Sequence, residues 1–178
     1  LGLYSEAMEQ YNRALEQIGI DFNDTLYITL NNNIGRVYLS QNNFDLAEQH
    51  STDTMNTTVN LDYSKGRAES MGLLGACYEK QEEYDKALAY QKESLLLFEQ
   101  LEDTYGVAMT NENIGSIYED LEQFDLAYEY FNKAYTYFSN RCSKKELSAR
   151  EVMIGLQKYQ LKLSEKHKLI NKLKKEKY

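Results

Sequence analysis

The chain has 178 residues, no proline or tryptophan, 16 tyrosines and a formal net charge of −8. The abundance of Leu, Ala, Glu, Lys and Gln favours long helices, and no stretch has the roughly 20 consecutive apolar residues needed to span a membrane. Residues 158–178 contain eight lysines and two glutamates, a net charge of +6, whereas residues 1–157 contain 12 basic and 26 acidic groups, a net charge of −14. The acidic body argues against nucleic acid as a partner, because phosphate binding requires clustered lysines and arginines.

A 40-residue register runs through the chain. Four glycines keep it, and four further positions repeat with it: Gly35, Gly75, Gly115 and Gly155; Tyr38, Tyr78 and Tyr118; Phe44, Tyr84 and Phe124; Asp45, Asp85 and Asp125; Ala47, Ala87 and Ala127. Self-similarity at a fixed period of this size predicts a stacked helical repeat array. In such an array the core lies between neighbouring units rather than at one centre.

Residues 1–20 are predicted to be the second helix of a half unit. Tyr4 and Ala7 lie one period upstream of Phe44 and Ala47, and apolar residues recur every three or four positions, as an amphipathic helix requires. We interpret this half unit as the end of a truncated array, because a half unit leaves an apolar face without a partner. A natural capping helix is the alternative.

Three full units are predicted at about 21–61, 62–101 and 102–141. Each consists of a helix, a short turn and a second helix, with the turn of the first unit at Gln41-Asn42-Asn43. Asp45 and its copies lie in the first turn of the second helix, where a carboxylate complements the helix dipole. The three units together are predicted to form the body of the array.

A fifth unit begins at residues 142–157 and is then abandoned. Its turn would fall at Leu161-Lys162-Leu163, which contains no turn residue, so one helix is predicted from about 145 into the 170s. Leu156, Leu163 and Ile170 are seven residues apart, which is a short heptad pattern. Residues 158–178 are therefore a basic C-terminal helix. It would be a solubilised cap, a coiled-coil connector to a following domain that could also form a dimer, or a segment that binds anionic surfaces.

The repeated pattern resembles the tetratricopeptide repeat. The residues that carry the resemblance are Asn33-Ile34-Gly35-Arg36-Val37-Tyr38 with Phe44 and Ala47, Leu74-Gly75-Ala76-Cys77-Tyr78 with Tyr84 and Ala87, and Asn113-Ile114-Gly115-Ser116-Ile117-Tyr118 with Phe124 and Ala127. A period of 40 rather than the common ~34 resembles the subgroup found in kinesin light chains and bacterial signalling proteins. The resemblance implies an all-α, right-handed α-α superhelix over residues 1–157, followed by the long C-terminal helix. Ser51, Thr54, Gln91 and Ser94 depart from the aromatic and small residues of the family pattern, which predicts looser packing at these positions.

The resemblance also implies a binding surface, because the first helix of each unit lines the concave face in this family. The corresponding peptide-binding residues in this chain are Thr29, Asn32, Asn33, Arg36, Glu69, Leu73, Ala76, Met109, Glu112, Asn113 and Ser116. Asn33 and Asn113 match an asparagine that hydrogen-bonds the ligand backbone in peptide-binding relatives, and an amide can both donate and accept. The alternative is that these are polar residues on a solvated helix face. The residues of a carboxylate clamp are missing, so a neutral or basic segment is the favoured partner.

Candidate catalytic residues are scarce. His50 and His167 are the two histidines, and neither lies in a cluster with metal-ligand spacing. No glycine-rich phosphate loop occurs, and Cys77 and Cys142 make no disulfide framework. We therefore expect no catalytic residues, no metal site and no cofactor.

Taken together, the sequence predicts a non-catalytic module that binds a peptide or protein. The resemblance suggests the sensory or regulatory part of a larger bacterial signal-transduction protein; a free-standing adaptor and a structural oligomerisation element are the alternatives. The expected location is the cytoplasm, or the periplasm if the chain belongs to a membrane-anchored sensor.

Overall fold

The computed structural model describes residues 2–18, 24–59, 61 and 63–141. Within these residues the chain forms helices and no strand. The helices are α1 (Gly2–Ile18), α2 (Asp24–Ser40), α3 (Phe44–Val59), α4 (Ser64–Lys80), α5 (Tyr84–Gln100), α6 (Thr104–Asp120) and α7 (Phe124–Arg141). The predicted all-α fold class is therefore confirmed. The predicted start of a fifth unit at 142–157 and the C-terminal helix at 158–178 lie outside the described residues.

Helix and turn lengths explain the 40-residue period. Helices α4, α5 and α6 each contain 17 residues, and three-residue turns separate them at 81–83 and 101–103. Two such helices and two such turns make one period of 40. A helix of 17 residues has almost five turns, so each unit presents a long face for packing against its neighbours.

The chain divides into two compact units, residues 1–102 and residues 103–178. In the first unit α1 packs against α2, α2 against α3 and α4, and α4 against both α3 and α5. In the second unit α6 packs against α7. Consecutive helices therefore pack in pairs, which is the arrangement predicted for helix–turn–helix repeats.

Alanines of the 40-residue register lie where the two helices of a pair meet. Ala47, Ala87 and Ala127 are each 0 % exposed, and each lies in the first turn of the second helix. Large apolar side chains from the first helices complete the cores: Ile28, Ile34 and Leu74 in the first unit, and Ile114 and Ile117 in the second. The small residues let the paired helices approach closely, so the register records packing positions.

A repeated turn reverses the chain within each helix pair. At the end of α4 the Glu83 N–H donates to the Tyr78 carbonyl (2.9 Å), and Glu82 has a φ of 62°. This is the Schellman motif, in which one residue after the helix adopts the left-handed conformation. Asn42 and Glu122 take the same conformation one period away, with φ of 59° and 57°. The motif explains how three residues suffice to reverse the chain.

Glycine in place of Glu82 should stabilise the first unit. A glutamate in the left-handed region carries a steric cost that glycine avoids. After the greater flexibility of glycine in the unfolded chain is subtracted, we expect Glu82→Gly to raise the free energy of unfolding by about 0.5 kcal/mol. Urea unfolding followed by circular dichroism measures this change. Asn42→Gly is the matched control and should gain less, because asparagine tolerates this conformation better than glutamate. An equal or larger gain at Asn42 would contradict the explanation.

Candidate binding surfaces on the first helices

Helix α2 carries three of the predicted peptide-binding residues with accessible side chains: Thr29, Asn33 and Arg36. The exposed Arg36 donates from Nη1 to Asn33 Oδ1 (3.1 Å), and Thr29 Oγ1 donates to the Thr25 carbonyl (2.9 Å). Asn33 is half-buried, and its Nδ2 makes no hydrogen bond within the described part of the chain. The Asn33 amide therefore keeps a donor for a ligand, while its carbonyl holds the guanidinium of Arg36 in place.

Helix α4 lies against α2, and its predicted peptide-binding residues differ in how deeply they are buried. Glu69 and Ala76 are half-buried, whereas Leu73 is only 5 % exposed. The Leu73 Cδ2 atom lies 2.7 Å from the position that a Cβ atom of Gly35 would occupy, so this side chain fills the space beside α2. We therefore reassign Leu73 from the binding surface to the packing between the two helices.

Asn32 is also reassigned by its surroundings. Its side chain is 0 % exposed and joins α2 to α4, with Nδ2 3.4 Å from the Gly66 carbonyl and Oδ1 accepting from Ser70 Oγ at 2.9 Å. A fully buried amide already bonded to a neighbouring helix cannot reach a ligand. The family position implies a ligand contact here, but in this chain the polar side chain stabilises the contact between repeats.

The second unit holds the remaining predicted residues on α6. Glu112, Asn113 and Ser116 are half-buried, while Met109 packs against the core formed by Ala108 and Ala134. The side chain of Asn113 makes no hydrogen bond in the described part of this unit. Asn113 thus matches Asn33 in exposure and in having hydrogen-bonding groups available to a ligand.

A pair of stacked rings recurs once per repeat. The rings of Tyr78 and Tyr90 are stacked with centroids 5.5 Å apart, and so are Tyr118 and Tyr130. In the first pair of helices the same two positions hold Tyr38 stacked on the imidazole of His50, at 5.4 Å. Residues 50, 90 and 130 are 40 apart, so the stacked pair follows the 40-residue register. The pair was not predicted from the sequence, because this position holds histidine once and tyrosine twice.

Polar groups surround the Tyr78 ring. Its hydroxyl donates to Glu48 Oε1 on α3 (2.6 Å), and Lys86 Nζ lies 5.0 Å from the ring centroid. The hydrogen bond to Glu48, together with burial and nearby negative charge, raises the pKa of Tyr78. With the stack onto Tyr90, this side chain connects α3, α4 and α5 in one bridge.

His50 and Cys77 are titratable groups that lie in the packing of residues 1–102. His50 Nδ1 lies 3.0 Å from Asn31 Oδ1, and burial lowers the pKa of the imidazole although Asp53 opposes this. Burial raises the pKa of the Cys77 thiol to about 12, so it stays protonated at neutral pH and is a poor nucleophile. Among the described residues no group of three histidine, cysteine, aspartate or glutamate side chains could hold a metal ion.

Comparison with protein families identifies the repeats. Residues 66–140 match the family model of the tetratricopeptide repeat. These residues contain tetratricopeptide repeats. No curated protein matches the chain in a sequence comparison. None of the helices described, α1 to α7, is long and apolar enough to cross a membrane.

Solved structures share the fold of this chain at low sequence identity. A Rap protein complexed with competence and sporulation factor superposes with a TM-score of 0.81 at 16% identity, covering 96% of this chain and 47% of that one. BtubC (BKLC) from P. vanneervenii gives 0.75 at 17%, covering 89% and 65%. A putative kinesin light chain from Podospora anserina, with nearly identical TPR-like repeats, gives 0.67 at 11%, covering 97% and 85%. The chain thus spans less than two thirds of the length of BtubC and of the Rap protein. At these identities the likeness establishes the fold alone.

Proposed function

We propose that this tetratricopeptide-repeat chain is a non-catalytic module that binds a peptide or protein segment through the first helices of its repeats. Tetratricopeptide repeats are protein-interaction modules, and the match over residues 66–140 supports this class. The observation that carries the proposal is the state of Asn33 and Asn113. Both amides are accessible on first helices and keep hydrogen-bonding groups that the described part of the chain does not use.

The proposed binding residues have accessible side chains on first helices. In residues 1–102 they are Thr29, Asn33, Arg36, Glu69 and Ala76, and in residues 103–178 they are Glu112, Asn113 and Ser116. A peptide backbone offers alternating N–H and C=O groups, which the donor and acceptor atoms of asparagine match. Glu69 and Glu112 contribute negative charge, so neutral or basic segments are favoured over acidic ones. This electrostatic preference affects encounter rate and partner choice more than affinity.

A regulatory role within a larger signalling protein is the finer part of the proposal. The Rap protein that shares this fold was crystallised with a factor bound, which supports ligand capture by repeats of this kind. In the proposed role, the bound segment would bias an activity located elsewhere. The expected compartment is the cytoplasm.

Alanine in place of both asparagines should weaken peptide binding. Each lost hydrogen bond is worth about 1 kcal/mol, so Asn33→Ala combined with Asn113→Ala should raise Kd by roughly 30-fold. Peptides would be selected on the wild-type chain from a random display library, and Kd measured by fluorescence anisotropy. Helix content, followed by circular dichroism, should stay unchanged.

Asn132→Ala provides the matched control for this binding experiment. Asn132 is exposed on α7, a second helix outside the proposed surface, and its replacement should leave Kd within twofold. Unchanged affinity in the double variant would reject the asparagine site. Selected peptides that are predominantly acidic would reject the charge preference while leaving the site itself standing.

A further inference from the structure

A depression of about 310 Å³ lies in the first unit, away from the residues of the proposed peptide surface. Helix α4 packs against both α3 and α5, and all three helices contribute to the lining. The lining residues are Met55 of α3, Arg67 and Met71 of α4, and Ala89, Tyr90 and Glu93 of α5. The volume is at the small end of ligand pockets.

Arg67 brings a positive charge to the lining of this depression. Its Nε atom is buried and makes no hydrogen bond with the described residues, and its guanidinium forms no ion pair with any of them. Arginine stays protonated at all relevant pH values. A carboxylate is the best match, because the guanidinium fork can donate two parallel hydrogen bonds to it.

Glu93 adds the opposite charge to the same depression. It is exposed and lines the site, but no ion pair joins it to Arg67. A ligand with a carboxylate alone would be repelled by Glu93, and a ligand with an ammonium alone would be repelled by Arg67. A zwitterion can satisfy both side chains at once, with its carboxylate toward Arg67 and its ammonium toward Glu93.

The rest of the lining is apolar. Met71 is 3 % exposed and Met55 is half-buried, and methionine adapts its shape to an apolar or aromatic group. The Tyr90 ring is held by its stack on Tyr78, whose hydroxyl bonds to Glu48. The site therefore suits a compact ligand with one apolar group.

From these features we propose that the depression binds a free apolar α-amino acid, such as phenylalanine or leucine. Arg67 holds the α-carboxylate, Glu93 holds the α-ammonium, and Met55, Met71 and Tyr90 contact the side chain. This site is independent of the peptide-binding surface, so either proposal can fail without the other.

L-Phenylalanine is the probe, and the ¹H–¹⁵N spectrum of the full chain gives the readout. Titration should shift amide signals of α4 and α5 and give a Kd. Phenylacetate, which lacks the ammonium, and phenylalaninamide, which lacks the carboxylate, should each bind at least tenfold more weakly. Absence of binding up to the solubility limit of phenylalanine would overturn the proposal.

Two substitutions assign the charged groups. Arg67→Gln should weaken phenylalanine binding at least tenfold without lowering thermal stability, because the Arg67 Nε atom has no partner to lose. Glu93→Gln should weaken phenylalanine binding while strengthening phenylacetate binding, a reversal that a general loss of folding could not produce. Arg13→Gln and Glu99→Gln, at exposed positions on α1 and α5, are the matched controls and should leave both affinities unchanged.

A dipeptide distinguishes free amino acids from the ends of polypeptides. Glycyl-phenylalanine keeps the carboxylate and the side chain but moves the ammonium away, so it should bind more weakly than phenylalanine. Tighter binding of the dipeptide would show that the depression recognises a peptide terminus and would overturn the assignment to a free amino acid. Equal affinity of phenylalanine for wild-type and Arg67→Gln chains would also overturn it.

Discussion

Replacing Gly75 with alanine should destabilise the first unit by about 1–2 kcal/mol. A Cβ atom at this position would lie 2.7 Å from Cγ and Nε2 of Gln91 and 2.9 Å from its Cδ. Gln91 is 0 % exposed and donates from Nε2 to the Gly72 carbonyl (2.9 Å), so it cannot move aside without losing that bond. Overpacking of this kind costs about 1–3 kcal/mol, and the better helix propensity of alanine returns at most about 1 kcal/mol.

Gly72→Ala is the control for the Gly75 prediction. The nearest atoms to a new Cβ there are Ser94 Oγ at 3.3 Å and Gln91 Oε1 at 3.9 Å, which requires only a small adjustment. We expect a change within about 0.5 kcal/mol of wild type, because the close contact and the gain in helix propensity offset each other. Urea unfolding followed by circular dichroism measures both variants.

A double-mutant cycle identifies the clash itself. In a Gln91→Ala background the space beside Gly75 is empty, so Gly75→Ala should no longer destabilise and should instead gain helix propensity. If Gly75→Ala costs the same in both backgrounds, the contact with Gln91 does not explain the glycine. The cycle thus separates local crowding from any general intolerance of helix α4.

The sequence predicted the helical pairs well because periodic packing leaves a periodic pattern. Alanine, glycine and tyrosine recur at positions where helices meet. A 40-residue repeat in sequence indicates that equivalent positions make equivalent packing contacts in each unit. A turn was predicted at Gln41-Asn42-Asn43 from typical turn residues, but turns with the same left-handed conformation occur at Glu82 and Glu122. The hydrogen bonds of these turns join backbone N–H and carbonyl groups at the helix ends, so they do not require a particular side chain.

The packing within residues 62–101 differs from the packing that the family pattern predicts. Gln91 and Ser94 depart from the family pattern, yet both are 0 % exposed, and Ser94 Oγ donates to the Ala68 carbonyl of α4 (2.7 Å). The predicted looser packing is wrong at these positions, because hydrogen bonds between the helices replace the contacts of an aromatic and a small residue. A single sequence shows residue types but not the backbone carbonyls that would satisfy them.

For the candidate surface, the sequence could predict which helix face is involved but not which residues on that face are accessible. Helical spacing placed Asn32 and Asn33 side by side on α2, but a rotation of about 100° per residue separates a buried position from an accessible one. Register alone could not decide which amide faces α4. Likewise, the depression around Arg67 is lined by residues of α3, α4 and α5, and no spacing in the sequence links those residues.

Asn32→Ala should destabilise the first unit by about 2–3 kcal/mol, although Asn32 occupies a family ligand-binding position. Truncation leaves a cavity at a site with 0 % exposure and removes the acceptor 2.9 Å from Ser70 Oγ, which also lies 2.9 Å from the Gly66 carbonyl. Loss of the hydrogen bond contributes about 1 kcal/mol and the cavity the remainder. Urea unfolding measures the change.

Asn33→Ala is the matched control for Asn32→Ala, since it makes the same change one residue along the same helix. Its side chain is half-buried and, among the described residues, is bonded to Arg36 of its own helix, so the expected change in stability is within about 0.5 kcal/mol. Asn32→Ala should therefore lower stability, whereas Asn33→Ala should lower peptide affinity. If Asn32→Ala leaves stability unchanged but weakens peptide binding, the reassignment of Asn32 is wrong, and the family position predicts its function better than the contact with α4 does.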